Sequence, residues 1–233
     1  MSFYEREPQG LGSKSSATDP VSDADREAER VIRELLAAER PEDGLLAEEG
    51  SRSEGRSGRR WVVDPLDGTV NFLYRFPSWA VSVALEDAEG TALGVVHSPV
   101  HEETFRAARG EGAWLGAARL RVRQESELDR AMVATGFSYE RGRRAAQADV
   151  VQRVLPRVRD IRRAGAAALD LAWLAAGRVD AYYERGLKPW DWAAGRMVVE
   201  QAGGLVAPLE GHPPGLVAAG TPALLEQLTA LVG

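Results

Sequence analysis

Two aspartates, Asp64 and Asp67, stand three residues apart at the end of the apolar run Trp61-Val62-Val63, within the stretch WVVDPLDGTVNF. Pro65 and Gly68 mark a turn there, because proline fixes one backbone dihedral and glycine reaches angles that other residues avoid. Carboxylates at the end of a buried strand are costly unless their charge is compensated. A divalent cation would compensate it, since carboxylate and carbonyl oxygens suit hard metals such as magnesium. The amides after Gly68 would then be free to hold an anion, above all if a helix begins at Thr69. A metal beside an anion cradle points to phosphoryl chemistry.

Two further acidic stations share this placement. Glu48-Glu49 follows the short apolar segment Leu45 to Ala47, and Asp191 lies in LKPWDWAAG, in the first turn of an expected helix, where the dipole favours a carboxylate. Each station alone also has a plain reading: a helix cap at Asp191, a solvated pair at Glu48-Glu49, a satisfied turn at Asp64 and Asp67. Their joint occurrence favours a shared site. Of 29 basic residues only Lys14 and Lys188 are lysine. A bias toward arginine explains most of that, but a compact ammonium is also what a planar guanidinium cannot replace.

The elements that must position these residues are legible from pattern. Residues 1–21 are polar and rich in Gly, Ser and Pro, and read as loop. Ser22-x-x-Asp25 resembles a capping box, and Ala28, Val31, Ile32, Leu35 and Leu36 follow helical spacing, which predicts a helix over 22–39 closed by Pro41. The polar stretch 51–60 reads as a flexible loop of the kind that covers a site. Short strands follow at 80–85, 92–96, 104–108, 113–115 and 120–122, an antiparallel meander. Beyond residue 125 strands and helices alternate: strands at 131–135, 159–162, 179–184, 205–206 and 216–219, helices at 145–158, 166–176, 190–202 and 222–232. This favours an α+β half over 1–125 and an α/β half over 126–233.

Composition narrows the function classes. The 233 residues suffice for a full core, and 44% hydrophobic with 27% charged is ordinary for a soluble protein. No apolar run approaches a membrane span and the N-terminal residues show no charged-then-apolar leader pattern, so the expected location is cytoplasmic. The absence of cysteine excludes disulfides and thiolate chemistry. His97, His101 and His212 are scattered and read as surface loop residues. A net charge of −6 gives no footprint for nucleic acid.

WVVDPLDGTVNF followed by FPSWAVSVAL, with KPWDWAAGRMVVEQAGG far downstream, resembles the inositol monophosphatase family of magnesium-dependent, lithium-sensitive phosphatases. The resemblance runs from about Lys14 to the C-terminus and includes AEEG, GEGAWLGAARL, ATGF, RRAGAAALDLAWLAAGRVDAYYERG and the tail. It implies a layered αβαβα sandwich of the inositol monophosphatase and fructose-1,6-bisphosphatase type. It also implies two or three magnesium ions and a homodimer. Asp64 would bridge two metals. Glu48 and the Leu66 carbonyl would bind the first, and Asp67 and Asp191 would complete the second. Thr69, with Glu48, would orient the attacking water, and the amides of Gly68 and Thr69 would receive the phosphate. Glu184 and Ala167 match positions that contact the alcohol. Lys14 matches a lysine near the outer metal shell, and Lys188 precedes the Trp-Asp pair.

Haloacid-dehalogenase phosphatases offer a competing pattern, DxDxT, but here the aspartates are three apart and a proline follows the first. TVNF in place of a TKEF-like segment argues against the nucleotide-hydrolysing relatives. FLYRFPSWAVSVAL and Glu184 favour myo-inositol 1-phosphate, with histidinol phosphate and fructose 1,6-bisphosphate as alternatives. A non-catalytic partner of the transcription machinery, a role of some bacterial relatives, is the rival of another class. The chain departs from the family at the start: thirteen residues precede Lys14, where a helix of about twenty is usual, so the first helix is expected to be missing.

Overall fold

A computed structural model describes Tyr4, residues 10–13 and residues 20–233. Lys14, and most of the segment where the first family helix would lie, fall outside the described residues. In chain order the elements are β1 (Gly12–Ser13), β2 (Pro20–Val21), α1 (Asp23–Glu39), β3 (Gly44–Ala47), β4 (Arg52–Ser53), β5 (Arg60–Asp67), α2 (Thr69–Leu73), β6 (Ala80–Asp87), β7 (Gly90–Ser98), β8 (Glu103–Ala108), β9 (Gly112–Leu115) and β10 (Ala118–Arg119). There follow β11 (Met132–Thr135), α3 (Arg141–Val154), β12 (Asp160–Arg162), α4 (Ala167–Ala175), β13 (Ala181–Arg185), α5 (Pro189–Gln201), β14 (Leu205–Leu209), β15 (Gly215–Ala219) and α6 (Pro222–Val232).

Strands β3 to β10 form one eight-stranded sheet, in the order β10-β9-β8-β7-β6-β5-β3-β4. It is the predicted antiparallel meander with one parallel pair, β3 beside β5. The second sheet has the order β12-β11-β13-β15-β14 and is mixed, with β11 parallel to both β12 and β13. Helices α4 and α5 fill the space between the sheets. Helix α1 covers the outer face of the first sheet, and α3 and α6 cover the outer face of the second. The layers therefore run helix, sheet, helices, sheet, helices. The central layer is rich in alanine, so sheet and helix approach closely. Leu169, Leu171 and Leu174 are fully buried in it, each contributing about 1.5–3 kcal/mol over exposure.

Several expectations are corrected. The two aspartates do not sit in a turn outside the strand. β5 continues through them, with an irregular register between Asp64 and Asp67, because the Asp64 carboxylate accepts the Leu66 N–H at 2.9 Å and holds the backbone locally. Residues 120–122 are not a strand. Leu120 and Val122 are buried alternately, which imitates one, but their amides donate singly to the carbonyls of Ala113 and Ala202. Helix α3 begins four residues before the expected Ala145, because its first turn is polar and carries no apolar stripe, and it breaks at Pro156. His97 lies in β7, not in a loop, and bonds the Thr104 hydroxyl across the sheet. Only half of the apolar stripe on α1 packs inward: Ile32 and Leu36 meet the sheet, while Val31 and Leu35 are 51% and 61% exposed.

Candidate active site

Register brings the first two acidic stations together. β3 runs parallel to β5 with Ala47 opposite Val63. The next residue, Glu48, donates its N–H to the Val63 carbonyl at 3.1 Å, so its side chain emerges beside Asp64. The two carboxyl groups hydrogen-bond each other. The Glu48-bearing turn is fixed from below by Glu29 of α1, whose buried carboxylate accepts the amides of Glu49 at 2.7 Å and Ser51 at 2.9 Å.

After Asp67 the chain turns at Gly68, whose φ of 90° suits glycine, and enters the short helix α2 at Thr69. A side chain at 68 would also crowd the Ser78 carbonyl and Ala166. Asn71 ties this corner to the second half of the chain, its side-chain amide donating to the carbonyls of Ser78 at 2.6 Å and Ala164 at 2.8 Å. Helix α4 then presents its N-terminus to Asp67. The amides of Ala167 and Ala168 donate to the two oxygens of that carboxylate, at 3.1 and 2.8 Å. Asp191 arrives from the first turn of α5, where it accepts the Lys188 N–H at 2.6 Å.

These residues line one cleft of about 110 Å³. Glu48, Asp64, Leu66, Asp67, Gly68, Thr69, Ala167, Glu184 and Asp191 all border it. The loop 51–60 does not border the cleft; it is held by Arg56–Glu42 and Ser57–Asp43 contacts instead. Lys188 contributes its backbone, and its side chain is exposed. A wider cleft of about 650 Å³ lies between α1 and the β3–β4 turn, lined by Arg26, Arg30, Arg33 and Arg52. Of the acidic stations it touches only Glu49, so the chemistry belongs to the smaller one.

The small cleft concentrates negative charge. Burial, followed by the charges of Glu48, Asp67 and Asp191, pushes the Asp64 carboxyl far above the usual range. Burial raises Asp67 to about 7 against the pull of the Ala168 and Ala167 amides, with Glu48 and Glu184 adding to the rise. Asp191 is also raised, by burial first and then by Glu48, Asp67 and Glu184. Asp191 and Glu184 are exposed only in part, and that exposure opens into the cleft. Arg163 is the one basic side chain at the rim among the described residues. Two buried carboxylates, two half-buried ones and a carbonyl with so little positive charge form a hard-oxygen donor set, the chemistry magnesium requires. Among the described residues no three acidic or histidine groups are drawn into a closed coordination shell. The carboxylates turn to backbone amides and to one another instead.

Sequence reasoning missed two residues. Asp25 serves the capping box, with Oδ2 accepting the Ser22 N–H at 2.8 Å, and it is fully buried. Its other oxygen accepts the Thr69 hydroxyl at 3.0 Å. The cap signal concealed this second task; only the burial of a first-turn aspartate on the inner face hints at it. Tyr182 is the other, donating to Glu184 from beneath the cleft at 2.5 Å.

Comparison with known proteins places the chain in a family. Residues 3–232 match the model of the inositol monophosphatase family. The chain is similar to an inositol-1-monophosphatase of Rhizobium meliloti, 46% identical over 202 residues, covering 85% of this chain and 76% of that protein. It is similar to the Nus factor SuhB of Escherichia coli, 39% identical over 233 residues, covering 97% of this chain and 87% of that protein. The crystal structure of the extragenic suppressor protein suhB from Bartonella henselae superposes with a TM-score of 0.92 at 38% identity, covering 99% of this chain and 91% of that one. With the layered fold, the acidic cleft and the match over nearly its whole length, this chain belongs to the inositol monophosphatase family and is a phosphatase.

Proposed function

We propose that the protein hydrolyses myo-inositol 1-phosphate to inositol and phosphate, with magnesium bound at Glu48, Asp64, the Leu66 carbonyl, Asp67 and Asp191. The convergence of these oxygens in one buried cleft, beside a hydroxyl already bonded to a carboxylate, is the observation that carries the reading. Two or three magnesium ions, when bound, would neutralise the phosphate and lower the pKa of water. Thr69 and Glu48 orient the attacking water, and Asp25 holds the Thr69 hydroxyl in place. The amides of Gly68 and Thr69, at the start of α2, receive phosphate oxygens. Glu184 and Ala167 hold the alcohol on the opposite wall. The 1–125 half thus supplies most of the metal side and the 126–233 half the alcohol side. No covalent nucleophile is needed, because positioning and electrostatics carry phosphoryl transfer. The enzyme works in the cytoplasm as a homodimer.

Phosphate release from a panel of monoesters tests this. Release from myo-inositol 1-phosphate should require magnesium, stop in chelator and fall with lithium. Persistence in chelator would sink the metal assignment. Preference for histidinol phosphate or fructose 1,6-bisphosphate would overturn the substrate.

A second reading rests on the Escherichia coli relative, which carries the name Nus factor. On that reading the chain serves as a regulatory partner of the transcription machinery. Asp64→Asn separates the two: it should abolish phosphate release, and it should leave partner capture intact if the regulatory role is real.

A further inference from the structure

The wall of the cleft opposite the metal-type ligands is built around Glu184. Tyr182 precedes it by two residues on β13, so both side chains leave the same face of the strand. Tyr182 is completely buried beneath the cleft. Its hydroxyl donates to Glu184 Oε2 at 2.5 Å, the short distance expected of a charge-assisted bond. Glu184 is confined from a second side. Gly136 follows β11, the parallel neighbour of β13, and a Cβ at 136 would lie 2.0 Å from Oε2 and 2.3 Å from Cδ. The carboxylate therefore lies flat against the Gly136 backbone, with one oxygen committed to Tyr182. The other oxygen lies 2.4 Å from the same Cβ position, and the residue borders the cleft.

We infer that Tyr182 is a positioning residue that fixes Glu184 as an acceptor for a substrate hydroxyl, and so sets the preference for polyol phosphates over esters that lack a hydroxyl near the phosphate. This rests on the proposed contact between Glu184 and the alcohol. Burial raises the Glu184 carboxyl to about 7, and the phenol and the Arg163 charge pull against that rise. A carboxylate held in place in this way accepts a hydrogen bond from a substrate hydroxyl at little cost in side-chain freedom. Without the phenol, Oε2 would lose its donor in a buried place, and Glu184 would turn toward other partners or a proton.

The test compares myo-inositol 1-phosphate with p-nitrophenyl phosphate, which has no hydroxyl to offer. Tyr182→Phe should lower the ratio of kcat/KM values for the two esters about tenfold, mainly through KM for the inositol ester. Glu184→Gln should lower the same ratio, and adding Tyr182→Phe to it should change the ratio no further. A ratio unchanged in Tyr182→Phe, or effects that multiply in the double variant, would overturn the inference. If Tyr182→Phe does not fold, Gly136→Ala attacks the same carboxylate from the other side with the phenol intact, and should lower the ratio as well. A normal ratio in Glu184→Gln would remove Glu184 from alcohol recognition and the inference with it. Failure of the unaltered enzyme to cleave the inositol ester while it cleaves p-nitrophenyl phosphate would instead overturn the proposed substrate.

Discussion

Thr69 has two acceptors for one proton, the Asp25 carboxylate at 3.0 Å and the Leu66 carbonyl at 3.2 Å. The carboxylate is the stronger, and on the proposed mechanism it would make the threonine oxygen more basic toward the attacking water. Asp25→Asn keeps the size and the cap acceptor but removes the charge. It should lower kcat for phosphate release about 10²-fold with KM changed little, as expected for lost acid–base support; steady-state kinetics checks it. Titration gives a second prediction. Glu184 and Asp67 are raised to about 7 in the folded protein, by burial above all, against about 4 in the unfolded chain. The folded state therefore binds more protons between those values, and metal-free stability falls as pH rises from about 4 through about 7. Melting in chelator should be lower at pH 8.5 than at pH 5.5, and magnesium should flatten the trend. A melting temperature that climbs with pH in chelator would contradict it. Asp64 and Asp67 were legible at this scale because their motif is local. Asp25 was not, because its partner lies 44 residues away and a nearby serine already explained it.

The turn after β3 carries a nominated metal ligand without a helix or strand of its own to hold it. Glu29 supplies the rigidity by accepting two amides of that turn from α1. Glu29→Ala should free the turn and raise the magnesium concentration for half-maximal activity about tenfold, as loss of an outer-shell support commonly does. A magnesium titration of phosphate release measures it. The strands and helices themselves were largely legible from apolar period and glycine punctuation. The exceptions share a cause. Residues 120–122 have strand-like burial without strand pairing, and the first turn of α3 has helix pairing without an apolar face. In both, hydrogen bonding and burial part company, and pattern reads only burial. The parallel pairing of β3 with β5, which sets Glu48 beside Asp64, left no local trace.

Between the layers the backbone itself sets the spacing. Gly94 of β7 passes so close to α5 that a Cβ there would lie 2.6 Å from the Ala194 carbonyl oxygen and 2.9 Å from its Cα. Gly195, next along, meets Leu171 of α4 in the same way. Gly94→Ala should therefore force sheet and helix apart and cost about 1–3 kcal/mol, read as a lower denaturation midpoint with an unchanged slope. The layered fold was legible through long motifs, whereas these contacts were not, because an alternating strand tolerates glycine for many reasons. Spacing matters most where Asp67 meets the N-terminus of α4, 100 residues later in the chain. Two amides already occupy that carboxylate. Each of its oxygens keeps a second lone pair, so a cation bound there on the proposed mechanism would share the carboxylate with the helix amides. Thermodynamic reciprocity would then couple the two: a ligand that moved α4 would change the ion's affinity without touching the ion.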